Sequence, residues 1–93
     1  MQRFLYVFCY DITNNRCRAR VASALEALGV RVQESVFECW LEPGAAARAG
    51  RDLRAMMQAD DLLTWYRLSR EEAHAVRILG RGPAPAEPHG WYA

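Results

Sequence analysis

Residues 4–10, Phe-Leu-Tyr-Val-Phe-Cys-Tyr, form an unbroken apolar and aromatic run, which Asp11 and the polar Thr13, Asn14 and Asn15 bring to an end. A run this short and this rich in β-formers predicts a strand buried on both faces, and so an interior position in a sheet. Polar spacing then changes to a helical period. Val21, Leu25 and Leu28 recur at i, i+4 and i+7, with Cys17 and Ala24 on the same side. Thr13 or Asn14 is placed to cap this helix, and Gly29 to close it as the residue after its last turn.

Val30-Arg31-Val32-Gln33 alternates as a strand, and Ser35 to Leu41 alternates again, with Glu34 and Ser35 marking a tight turn or bulge between them. On the second of these, Ser35, Phe37, Cys39 and Leu41 share one face and Val36, Glu38 and Trp40 the other. Pro43 starts a second helix that runs to about Gln58, with Ala49, Leu53, Met56 and Met57 as its apolar stripe. Leu62 to Leu68 reads as a further strand, Ser69 to Ala75 as a turn or a single helical turn, and Val76 to Leu79 as a short last strand ended by Gly80. The order is β-α-β-β-α-β with one extra terminal strand. This predicts an α+β, ferredoxin-like sandwich over residues 1–80 with two helices on one face of an antiparallel sheet. Pro83, Pro85 and Pro88 make residues 81–93 an extended, flexible tail. A short final strand cannot bury itself alone, so it is expected to pair with an edge, its own or that of a second copy in a homodimer.

Composition narrows the function classes. No apolar run is long enough to span a membrane, and no charged leader with a cleavage site precedes the first strand, so a cytoplasmic location is expected. Cys9, Cys17 and Cys39 are odd in number and form no C-x-x-C pair, which argues for small buried apolar groups rather than disulfides or a zinc site. All twelve cations are arginine, whose planar fork suits phosphate. Codon bias would give the same absence of lysine. Residues 1–33 carry five arginines against only Asp11 and Glu26, so the positive end of the chain is the end that holds Asp11.

His74 and His89 fall in no catalytic spacing, and Gly80-Arg81-Gly82-Pro83 lacks the strand–loop–helix context of a phosphate loop. What remains is Asp11 at the carboxyl end of the central strand, where ligands collect in α/β sheets. It either hydrogen-bonds the N–H groups of the next helix or takes part in a site. Arg16 and Arg20, i and i+4 on the first helix, with Arg18 on another face, set cations beside it. One carboxylate is a poor Mg²⁺ site, but two copies related by a two-fold axis near Asp11 would supply a second. Attack of metal-activated water on a phosphodiester is then the reaction class.

Tyr10-Asp11-Ile12 at the end of the first strand, the arginine-rich helix ended by Gly29, and Arg31-Val32-Gln33-x-Ser35-Val36-Phe37-Glu38 together resemble the small CRISPR-associated Cas-two family. Asp61-x-x-x-x-Tyr66-Arg67-Leu68 and Val76-x-Ile78-Leu79-Gly80 extend the likeness over residues 3–80. The resemblance implies a ferredoxin-like homodimer that partners the CRISPR integrase (the Cas-one protein) when spacers are acquired in antiviral defence. It also implies a metal-dependent endonuclease acting on single-stranded RNA or double-stranded DNA. By that likeness Asp11 is the Mg²⁺ ligand shared across the dimer axis and Tyr10 stands beside it. Arg18, Arg20 and Arg31, with Arg16 alongside, hold nucleic acid, while Phe37 and Ser35 support the site. Cys39 stands where the family often has glycine, and Trp65 where a smaller aliphatic is usual. A VapD-type toxin ribonuclease is a more distant likeness, and a scaffold that binds nucleic acid without cutting it is the other functional class.

Overall fold

A computed structural model describes residues 2–75. In chain order it contains β1 (Phe4–Asp11), α1 (Asn15–Glu26), β2 (Val30–Gln33), β3 (Val36–Leu41), α2 (Pro43–Met56), β4 (Leu62–Leu68) and α3 (Arg70–His74). The four strands form one antiparallel sheet in the order β2-β3-β1-β4, so β1 is interior, as its unbroken apolar run predicts. The expected fifth strand at Val76–Leu79 and the tail of residues 81–93 lie outside the described residues.

Strand alternation divides the core into two layers. Tyr6, Phe8 and Tyr10 of β1 and Phe37, Cys39 and Leu41 of β3 face α1 and α2, where Val21, Leu25, Ala46, Ala49 and Leu53 close over them. Phe8, Phe37, Leu25 and Val21 are fully buried there. On the opposite face Leu5 and Trp40 pack against Ala73 of α3, with Leu68 at the margin. This short helix forms because Ser69 and Glu72 make a reciprocal capping box. The Ser69 backbone N–H donates to the Glu72 carboxylate at 2.7 Å and holds its pKa below the usual carboxylate range.

α3 covers only one end of its face. The rest carries Val7, Cys9 and Asp11 of β1, Val36 and Glu38 of β3, and Leu62, Thr64 and Tyr66 of β4. Leu62 and Tyr66 are 58% and 59% exposed, so among the described residues this part of the sheet presents an apolar surface with no helix packed on it.

Two element ends differ from the sequence expectation. α1 stops at Glu26 with Ala27 as its cap, and Leu28, assigned by its spacing to the apolar stripe, is 38% exposed. The periodicity simply outruns the helix. Gly29 has no left-handed backbone; its role is close approach. A Cβ there would stand 2.3 Å from the Glu38 carbonyl oxygen and 2.6 Å from Cys39 Sγ. α2 ends at Met56, two residues early, because Met57 turns extended. Met56 and Met57 sit at the core margin. The irregularity expected between β2 and β3 is present as a turn at Glu34–Ser35 and a register shift between Arg31 and Gln33.

Glu38 pairs with Val7 and Val30 on the α3 face of the sheet, and burial pushes its carboxyl above the ordinary value of 4.5. The native state therefore keeps this proton at pH values where the unfolded chain has lost it. Stability falls as pH rises from the ordinary value through the raised one, then levels. Denaturant midpoints measured across this range should show that decline in the wild type and a flatter profile in Glu38→Gln. Parallel profiles would contradict it.

Candidate nucleic-acid and metal site

The chain leaves β1 at Asp11, whose side chain points to the α3 face of the sheet, beyond the end that α3 covers, while Tyr10 points into the core between the sheet and α1 and α2. Asp11 is exposed. Its carboxylate makes no hydrogen bond or ion pair among the described residues. The capping alternative fails, because the cap of α1 is Asn14, whose Oδ1 accepts from the Cys17 N–H at 2.8 Å. Among the described residues Asp11 is thus left without a structural task.

Arg18 shapes the loop behind it. Its Nη1 donates to the Ile12 carbonyl at 2.9 Å and the Thr13 carbonyl at 3.4 Å, and Nη2 donates to Asn15 Oδ1. The guanidinium thus ties the first turn of α1 to the segment after Asp11. Tyr10, Asp11, Ile12 and Arg18 then line one small cleft with Glu34 and Ser35. Glu34 and Ser35 arrive there because β3 runs antiparallel to β1: Cys9 faces Val36, and the Tyr10 N–H donates to the Ser35 carbonyl at 3.1 Å. The next step of the same register brings Glu34 to the end of β1 beside Asp11.

Tyr10 locks this turn. Its hydroxyl donates to the Glu34 carbonyl at 3.1 Å and accepts from Arg31 Nη2 at 3.4 Å, while its ring stacks on Phe37 with centroids 6.3 Å apart. Arg31 lies over the Phe37 ring at 5.1 Å. The Tyr10 hydrogen bond and the nearby charges of Tyr10, Glu26 and Glu34 hold the Arg31 guanidinium above its ordinary value, against a smaller opposing effect of burial. Phe37 is fully buried beneath this stack.

The structure therefore brings Tyr10, Asp11, Arg18 and Ser35 into one cleft, with Phe37 and Arg31 behind them. Arg16 and Arg20 are exposed on α1 and are not part of the cleft lining. Glu34 is the residue that sequence reasoning missed. The signal for it was the antiparallel register, which carries the start of β3 to the end of β1.

Among the described residues no three His, Cys, Asp or Glu side chains gather around a point where one ion could sit. The cleft does offer hard oxygen donors: two carboxylates, Asp11 and Glu34, and the Ser35 hydroxyl. That set suits Mg²⁺, which takes one or two carboxylates beside phosphate oxygens and water. The buried thiols suit no such role. Burial, reinforced by the Glu38 charge, pushes Cys39 up to about 12, and Cys17 Sγ donates to the Met56 carbonyl at 3.2 Å.

Comparison with known proteins identifies this arrangement. The family model described as "CRISPR associated protein Cas2" matches residues 4–76. A protein of Synechocystis sp. named CRISPR-associated endoribonuclease Cas2 3 is 41% identical over 86 residues, covering 91% of this chain and 94% of its own. A Thermus thermophilus protein named CRISPR-associated endonuclease Cas2 2 is 35% identical over 86 residues, covering 91% of each. Among solved structures, the hypothetical protein TT1823 of Thermus thermophilus superposes with a TM-score of 0.78 at 34% identity, covering 89% of this chain and 98% of that one. The matched span runs from the first residue of β1 past α3 and takes in every residue of the Asp11 cleft, so the chain belongs to the CRISPR-associated Cas2 family.

Proposed function

We propose that this chain is a Mg²⁺-dependent endonuclease of the CRISPR system, active on RNA or double-stranded DNA, that works as a ferredoxin-like homodimer and bridges the Cas-one integrase during spacer acquisition. The observation that carries the reading is Asp11. It is an exposed carboxylate at the end of the central strand, without a hydrogen-bond partner among the described residues, on the part of the sheet face that α3 leaves uncovered. The β2-β3-β1-β4 order and the βαββαβ succession through β4 support the ferredoxin-like plan. Leu62, Tyr66, Val7 and Val36, on the part of this face that no described element covers, support its burial against a second copy, which would carry a second Asp11 toward the first. Relatives named endoribonuclease and endonuclease support the reaction class.

In this reading Asp11, with Glu34 and Ser35 at hand, holds the cation. A bound Mg²⁺ supplies charge stabilisation at the phosphoryl group and lowers the pKa of water. Arg18 acts through the loop, keeping Asp11 at the cleft mouth, and Tyr10 holds the Glu34–Ser35 turn against β1. Arg16 and Arg20 meet phosphates. The test follows both activities: cleavage of labelled single-stranded RNA and duplex DNA with Mg²⁺ and with chelator, and spacer acquisition in cells. Cleavage that chelator abolishes supports the hydrolase. Acquisition without cleavage of either substrate favours a non-catalytic scaffold.

One observation favours that second reading: Arg16 and Arg20 are exposed and lie off the cleft lining, free to hold a duplex that is never cut. Reversing both to glutamate should weaken duplex binding and lower the slope of log affinity against log salt by about 2. An unchanged slope would sink the α1 contact.

A further inference from the structure

A groove runs between α2 and β4, and its floor is Trp65. Gly50 makes room for the indole: a Cβ there would stand 2.5, 2.9 and 3.0 Å from three atoms of the six-membered ring. Phe8, fully buried, stacks against the same indole with centroids 5.7 Å apart and planes 29° apart. The ring is thus fixed from the core side, yet 41% of the residue stays exposed. Arg51 and Arg54, three residues apart on α2, line the groove beside Gly50. Arg54 is held in place, its Nη1 donating to the Gln58 carbonyl at 2.9 Å and the Asp61 carbonyl at 3.4 Å. Among the described residues the carboxylate in the lining is Asp61, whose Oδ2 accepts from the Gln58 N–H at 2.8 Å. That bond engages one of its two oxygens within the turn from α2 to β4.

A half-open aromatic ring, fixed from the core side, with two cations in the same groove matches an unpaired nucleotide: the base stacks on the ring and its phosphates meet the guanidiniums. We propose that the α2–β4 groove is a binding subsite for single-stranded nucleic acid, with Trp65 stacking a base and Arg51 and Arg54 holding the adjoining phosphates. The groove also reaches Leu62, the register partner of Asp11. A strand seated in it therefore starts one β-strand away from the Asp11 cleft. The proposal stands on the groove's own residues and does not require that Asp11 cut anything.

The test is a titration of the full-length, ¹⁵N-labelled protein with a short single-stranded oligothymidylate, without metal, following the Trp65 indole N–H resonance. The spectrum of Trp65→Leu assigns that signal. A saturable shift of this resonance is expected, with affinity falling about fivefold or more in Trp65→Leu. Arg51→Ala, an exposed position with no packing to lose, should lower the salt slope by about 1. Gly50→Ala, which displaces the ring, should weaken binding in the same direction. Three results would overturn the proposal. The Trp65 signal could stay still while α1 amides shift, placing the strand on Arg16 and Arg20 alone. A polyglutamate peptide could move the signal where the oligonucleotide does not, marking an acidic protein partner. Dilution of the protein alone could move it, marking a second copy in the groove.

Discussion

Asp11→Asn is expected to lower metal-dependent cleavage by about 10²-fold or more while leaving the fold and duplex binding intact. The size follows from what the side chain does and does not touch. Asp11 is exposed, makes no hydrogen bond among the described residues and caps no helix, since Asn14 performs that task. Asparagine keeps its shape and removes its charge. Stability should therefore stay within about 0.5 kcal/mol of wild type, as for surface changes away from special features. Duplex affinity should hold or rise slightly, because one negative charge leaves the phosphate-facing end. Cleavage rates, thermal unfolding and duplex binding measured on the same preparation separate these effects. Cleavage within a few-fold of wild type would show that Asp11 holds no essential cation, whereas lost binding would make it a structural residue.

Gly29→Ala is the largest expected stability loss, on the order of 3 kcal/mol or more. Its Cβ would meet a carbonyl oxygen at 2.3 Å and a backbone Cα at 2.8 Å, both on β3. Neither atom is the flexible end of a side chain. Relief requires β3 to move away from the α1–β2 connection, and β3 carries Phe37 and Cys39, both fully buried. A drop of that size in the denaturant-extrapolated unfolding free energy, or an insoluble product, is the expected outcome. A loss below about 1 kcal/mol, the ordinary helix-end cost of exchanging glycine, would mean that the strand adjusts freely.

Much of the frame is legible in the residues, for identifiable reasons. The apolar run of β1 has no polar break, so interior burial is the only economical placement. β4 is bounded by Asp61 and Ser69, and its limits Leu62 and Leu68 emerge as expected. Less legible is anything that depends on where two elements meet. Leu28 matches the α1 period but lies beyond the end of the helix. The spacing of Gly29 suggests a helix terminator, whereas contact with β3 explains it. α3 is signalled by Ser69 and Glu72 at capping-box spacing, but its packing on Leu5 and Trp40 depends on which sheet face lacks other cover.

The site divides along the same line. Asp11 and the arginines are visible as residue types in a context. Their division of labour is not: Arg18 is spent on the Asp11 loop, Arg31 on Tyr10 and Phe37, and only Arg16 and Arg20 remain exposed without such ties. Tyr10 sits next to Asp11 in sequence, but strand alternation sends its ring to the other side of the sheet. Glu34 lies 23 positions away and reaches the cleft only through antiparallel pairing.

In the proposed dimer each chain carries half of a metal site, completed by Asp11 of a second copy. Counting bound Mn²⁺, as a spectroscopic substitute for Mg²⁺, against the mass of the assembly in solution tests this arrangement. One ion for every two chains is expected, bound by the dimer and lost in Asp11→Asn. One ion per chain, or binding that survives the loss of Asp11, would contradict it.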